Sequence, residues 1–142
     1  LVAAQVGVSS AALAGDARLV MESFLGSGLA ARLDGLEILA RELPLLLPSR
    51  EGPVWRGSID LLAREADGSL LVVDYKTDRD PVDSEIGRRY APQMAVYAEA
   101  VRRAYSLAEP PRAELWLLRA GRAVVLETAP EMTRLKLDPA DG

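Results

Sequence analysis

Apolar residues change their spacing several times along this chain, and each change marks an element. Leu1 to about Leu33 is rich in Ala, Leu and Val and predicts helix. Gly15 and the Gly26-Ser27-Gly28 run interrupt it, so two or three short helices are expected. Leu36 to Leu47 is apolar, broken by Arg41-Glu42 and Pro44 and closed by Pro48. This predicts a strand with an irregularity around the proline. Val54 to Glu65 predicts a second strand, and Ala66-Asp67-Gly68-Ser69 is a hairpin turn signal. Leu70 to Tyr75 is apolar almost throughout, as a central strand is. Thr77 to Gly87 is polar, contains Pro81 and several acids, and predicts a loop.

Arg88 to Leu107 is the clearest helix, because Tyr90, Met94, Tyr97, Val101 and Tyr105 share one stripe. Arg88, Arg102 and Arg103 project farther round this helix and are expected to be solvated. Pro110-Pro111 separates it from a strand at Ala113 to Leu118. Ala120-Gly121-Arg122 is a turn, and Ala123 to Thr128 predicts the last strand. The tail after Pro130 is weakly patterned. The order predicts an α/β fold, a mixed sheet of about five strands flanked by helices.

Composition narrows the chemistry. The chain has 142 residues, enough for one domain with a proper core. It has no cysteine and no histidine. That excludes a thiolate zinc site, a cysteine-ligated iron–sulfur cluster and a histidine-based triad. Any metal must be held by oxygen, which favours magnesium or manganese. The net charge of −4 argues against non-specific adhesion to nucleic acid, yet leaves room for an acidic site with a basic rim. No apolar run is long enough to span a bilayer, and no signal-peptide pattern is present, so no membrane partner is expected. No Walker A motif occurs, so no nucleotide site is expected in this chain. Because the chain opens at Leu1 without methionine, it is expected to be a fragment of something longer.

The candidate chemistry sits in Gly57-Ser58-Ile59-Asp60 and in Asp74-Tyr75-Lys76-Thr77. Strand geometry turns Asp74 and Lys76 to one face and Tyr75 to the other. If the second and third strands pair, Asp60 lies beside Asp74, close enough to share a cation. Without a cation, two such carboxylates repel and one titrates high. Lys76 is one of only two lysines, with Lys136. It would orient an attacking water or neutralise transition-state charge. The plainer alternative is a pair of strand-end acids, one salt-bridged to Lys76. Glu42 follows an apolar run and is either a third oxygen ligand or a solvent-facing acid beside Arg41. Gln93 projects at the edge of the apolar stripe, one turn from Tyr97, with Tyr90 just before it. These three either border the site or serve the core. Arg89, one turn before Gln93, would extend a phosphate-binding edge.

Taken in order, these blocks form a recognisable series: Arg41-Glu42-Leu43-Pro44, Gly57-Ser58-Ile59-Asp60, Val73-Asp74-Tyr75-Lys76-Thr77-Asp78 and Tyr90-Ala91-Pro92-Gln93-Met94-Ala95-Val96-Tyr97. The series resembles the RecB-type nuclease domain, a branch of the PD-(D/E)xK nuclease superfamily. It is most like the C-terminal nuclease domain of AddA/RecB helicase–nucleases of the UvrD-like helicase family. The likeness covers roughly Leu36 to Leu126. It implies a restriction-endonuclease-like core over 36–130, preceded by a truncated helical segment of the same domain over 1–35 and followed by a tail over 131–142.

The resemblance further implies Glu42, Asp60 and Asp74 as the acidic positions and Lys76 as the catalytic lysine. Asp60, Asp74 and the main-chain carbonyl of Tyr75 would ligate magnesium, or manganese. Gln93 and Tyr97, with Tyr90 and Arg89, would border the site and the DNA. The implied activity is a magnesium-dependent, exonuclease-type deoxyribonuclease acting on linear ends of single- or double-stranded DNA. Its implied setting is a helicase–nuclease of double-strand-break repair in the bacterial cytoplasm, associated with the nucleoid. The implied partners are the helicase domains of the parent chain and a second helicase–nuclease subunit. The chain departs from the pattern by lacking the histidine that RecB-type domains carry before the Glu42 position. That departure keeps open a second reading, a non-catalytic nuclease-like module that binds DNA or a partner.

Overall fold

The structure is a computed structural model that describes residues 10–48, 52–79 and 81–137. The helical reading of residues 1–9 lies outside these. Helix α1 spans Ser10–Leu25 and runs through Gly15 without a break. Gly15 faces open space, so only helix propensity is lost there. The predicted break comes at Gly26. Ser27 then caps the short helix α2, Gly28–Asp34, by accepting from the Leu29 N–H at 3.3 Å.

Five strands follow: β1 Glu37–Leu47, β2 Trp55–Arg64, β3 Leu70–Lys76, β4 Arg112–Leu117 and β5 Arg122–Leu126. They form one mixed sheet in the order β1-β2-β3-β4-β5. Only β3 and β4 run parallel; the other neighbours are antiparallel. The parallel step needs a crossover, which helix α3, Asp83–Ala104, supplies. The central place expected for the Leu70-Leu71-Val72-Val73 run is observed, and all four side chains are buried.

The sheet separates two cores. Leu62, Leu70, Val72, Leu115 and Leu117 pack with Met94, Tyr97 and Val101 of α3. Leu61, Ala63, Leu71, Val73 and Trp116 pack with Leu29, Phe24 and Leu33 of α1 and α2. Helices thus cover both faces, as burial of an apolar sheet requires.

Several expectations need correction. The polar run after Thr77 is not all loop, because α3 begins at Asp83. Asp83 and Glu85 occupy its first turn, where carboxylates face the positive end of the helix dipole. Arg102 and Arg103 are not merely solvated. Both bind the carboxylate of Glu99, which is 1% exposed, at 2.8 and 2.9 Å. The weakly patterned stretch after Pro130 falls within a short helix, α4, Ala129–Arg134. Met132 and Leu137 carry it into the larger core.

The irregularity of β1 is not at Pro44. That residue stands in register opposite Ser58 on an edge strand, where its missing N–H costs no ladder bond to a further neighbour. The register shifts instead between Ile38 and Ala40, and Glu42 adopts φ +48°. Ala40 and Leu43 both pack on the α3 core although strict alternation would oppose them. Leu62 and Ile59 of β2 do the same. Both strands therefore reset their facing at Glu42 and Asp60, and the far half of the β1–β2 hairpin turns toward α3.

Candidate active site

The reset places Asp60 where the β2–β3 ladder stops. Leu61 opposite Val73 is the last paired row. In the next row the Asp60 side chain takes over from the backbone. Its Oδ2 accepts the Tyr75 N–H at 2.8 Å. The carboxyl of Asp60 also meets that of Asp74 at hydrogen-bonding range.

Asp74 is 4% exposed, and its Oδ2 lies 2.6 Å from Lys76 Nζ. Tyr75 points to the opposite face and packs beside Trp116, ring centroids 6.1 Å apart. The alternation predicted for Asp74, Tyr75 and Lys76 is thus observed.

Burial pushes the Asp74 carboxyl up, and the Asp60 carboxyl adds to this; together they outweigh Lys76 and hold it at about 6. A proton shared between the acids is the metal-free solution to their repulsion. Two hard oxygen donors meeting at one point suit a divalent cation such as magnesium or manganese.

The sign of the pH effect follows. The folded state binds this proton more tightly than the unfolded chain does. Its contribution to stability is complete below 3.8 and is lost as pH rises through about 6. Thermal melts of metal-free protein, compared with Asp74→Asn, should show the wild type losing ground across that window. Added magnesium should restore it above the window. A constant difference between the two proteins at all pH values would mean that Asp74 is not desolvated.

Helix α3 brings the other predicted residues. Gln93 is exposed, yet its Oε1 accepts from Lys76 Nζ at 3.2 Å. The Tyr90 ring lies under the same ammonium, centroid 4.1 Å away. Tyr97 is 5% exposed and accepts a hydrogen bond from the Ser58 backbone. Burial pushes its phenol up, against that bond. A Cβ at position 57 would sit 2.7 Å from Tyr97 Cε1 and 3.0 Å from its hydroxyl. Gly57 is therefore glycine because Tyr97 occupies the space of a side chain.

Glu42 stands in register beside Asp60, between the pairs Arg41–Leu61 and Leu43–Ile59. It is exposed, and its left-handed backbone is a strained state for a glutamate. Among the described residues, no three His, Cys, Asp or Glu side chains converge as a metal cluster. Asp60, Asp74, Lys76 and Gln93 come together, with Tyr90 and Tyr97 around them, whereas Glu42 lies outside this contact set. Arg89 does not present a free cation, because it binds Asp78 at 3.0 Å. Asp78 also receives the Tyr90 hydroxyl at 3.2 Å. No role for Asp78 was evident from the sequence. The available signal was its position two residues beyond Lys76, which keeps it near the same strand end.

A family model described as the PD-(D/E)XK nuclease superfamily matches residues 1–140. An ATP-dependent helicase/nuclease subunit of Streptococcus equi subsp. zooepidemicus (strain MGCS10565) is 40% identical over 75 residues, 51% of this chain and 6% of that protein. The protein of the same name from Streptococcus pyogenes serotype M5 (strain Manfredo) is 37% identical over 79 residues, 56% of this chain and 6% of that protein. The match thus spans only 6% of the length of these relatives. A crystal structure of a repair endonuclease from Pyrococcus abyssi aligns with 86% of this chain and 41% of its own, at TM-score 0.39 and 18% identity. No helix among the described residues is long and apolar enough to cross a membrane.

Proposed function

Because this chain belongs to the PD-(D/E)XK nuclease superfamily, we propose that it hydrolyses DNA phosphodiester bonds with a divalent cation, magnesium or manganese. The observation that carries this reading is the buried contact of Asp74 with Asp60 on one side and Lys76 on the other. Asp60, Asp74 and the main-chain carbonyl of Tyr75 would hold the cation. In an extended strand the N–H and C=O of one residue leave on the same edge. The Tyr75 N–H already reaches Asp60, so its carbonyl faces the same gap. A bound cation supplies positive charge at the scissile phosphate and makes water more acidic.

Lys76 orients the attacking water or neutralises charge on the pentavalent transition state. Gln93 steadies Lys76, and Tyr97 with Gly57 and Ser58 shapes the wall. Glu42 serves as the third acidic position, its side chain turning inward from its exposed place beside Asp60. Residues 36–130 act as the nuclease core. The parent protein is a helicase–nuclease that trims linear DNA ends during break repair, and the 37–40% identity to helicase/nuclease proteins supports that setting.

The test is digestion of linear single- and double-stranded DNA with magnesium, with manganese, and with chelator. Cleavage that needs the cation supports the assignment. Metal-dependent DNA binding without any cleavage would replace it with a non-catalytic binding module.

A further inference from the structure

Lys76 lies against Asp74, Gln93 and the Tyr90 ring, at 2.6, 3.2 and 4.1 Å. Asp74 cannot serve both a cation and the ammonium at full strength. Once its carboxylate is committed to a cation, the contacts left to hold Nζ are the Gln93 amide and the Tyr90 face. Gln93 is an exposed amide on a flexible stem. Tyr90, by contrast, is tied at both ends. Its body packs against the α3 core, and its hydroxyl donates to Asp78 at 3.2 Å. Asp78 is in turn pinned by Arg89 at 3.0 Å.

We propose that Tyr90 is a positioning residue, a fixed aromatic platform on which Lys76 stays aimed at the reacting phosphate, with Asp78 and Arg89 as its brace. A cation held over a ring face is attracted to its negative quadrupole, and desolvation strengthens the attraction. On this arrangement Arg89 acts as part of the brace rather than as a free phosphate ligand. Pro92 lies between Tyr90 and Gln93 inside α3, so the helix lacks one backbone N–H there. That local irregularity separates the two residues that face the lysine.

This inference rests on the nuclease reading above, and its test separates the two. The chain's two lysines, Lys76 and Lys136, make lysine-selective labelling simple. In metal-free protein carrying ¹³C-lysine, the ring current should move the Lys76 ε-methylene protons upfield of those of Lys136. Tyr90→Leu should abolish that shift and Tyr90→Phe should keep it. On linear DNA with magnesium, Tyr90→Leu should lower kcat roughly tenfold with little change in KM. Tyr90→Phe keeps the ring, loses only the brace, and should fall much less.

Tyr90→Leu with an unmoved Lys76 signal, or with wild-type kcat, would overturn the platform. An equal kcat loss in both variants would also overturn it, since the ring would then not matter. A wild type that cuts no DNA would instead count against the nuclease reading, while the spectra would still report whether the ring holds the lysine.

Discussion

Lys76→Ala is expected to lose cleavage by roughly 10²–10³-fold or more while binding a divalent cation as the wild type does. The ammonium is not an oxygen donor, so its removal takes no ligand from the cation. It removes only charge that would act on the reacting phosphate or its water. Asp74→Ala should behave differently and lose both affinity and cleavage, because its carboxylate joins the Asp60 and Lys76 sides of the site. Lys76→Arg should rescue little, since a planar fork does not replace a compact ammonium between a carboxylate and a ring. Calorimetric titration with magnesium alongside single-turnover digestion reads the two effects separately. Retained cleavage in Lys76→Ala would end the role assigned to that residue.

The second large effect lies away from the site. Glu114→Ala is expected to cost about 2–3 kcal/mol of stability, the range for losing charged hydrogen bonds and leaving a buried donor unsatisfied. Glu114 on β4 is 0% exposed. Its Oε1 accepts from Arg32 Nη1 and from Trp116 Nε1, the latter at 3.2 Å. Its Oε2 accepts from Arg32 Nη2 and Arg112 Nε, both at 2.7 Å. Arg32 reaches on to Glu65 at 2.8 Å, joining α2 to β4 and to the turn that follows β2.

Burial alone would raise the Glu114 carboxyl, but the hydrogen bonds from Arg32 and Arg112 bring it below its ordinary value. Its contribution is therefore present above the unfolded-state value and is lost as pH falls. Alanine would leave the buried Trp116 N–H without an acceptor, while Arg32, partly open to solvent, would keep only Glu65. Denaturant unfolding should show the loss, and Glu114→Gln, which keeps a carbonyl acceptor, should lose less. A change under about 1 kcal/mol for alanine would mean the pair contributes only as an exposed one does.

Much of the site could be read along the chain because two local rules apply to it. Alternation in a strand set Asp74 and Lys76 on one face and Tyr75 on the other, and helical spacing set Tyr90, Gln93 and Tyr97 along one helix. The hairpin signal at Asp67-Gly68 then made β2 and β3 neighbours. These rules depend only on backbone geometry within a few residues, so they survive folding unchanged. The oxygen-only donor set also followed from composition, since a chain without cysteine or histidine has no other ligands to offer.

What the chain's pattern did not reveal depended on contacts between distant segments. The switch of facing at Glu42 and Asp60 breaks the alternation that makes strands legible. It arises because the hairpin must turn over α3 to bury Leu43, Leu45 and Ile59. The need for glycine at position 57 comes from a tyrosine forty residues away in sequence. The brace of Asp78 under Tyr90, and the closure of Glu114 by Arg32, pair charges that in sequence look like ordinary solvated residues. Sequence alone determined the shared face of Asp74 and Lys76, the opposite face of Tyr75 and the oxygen-only character of the candidate ligands. The tertiary structure alone decided which of them meet, because burial and charge pairing are settled only where separate elements close upon one another.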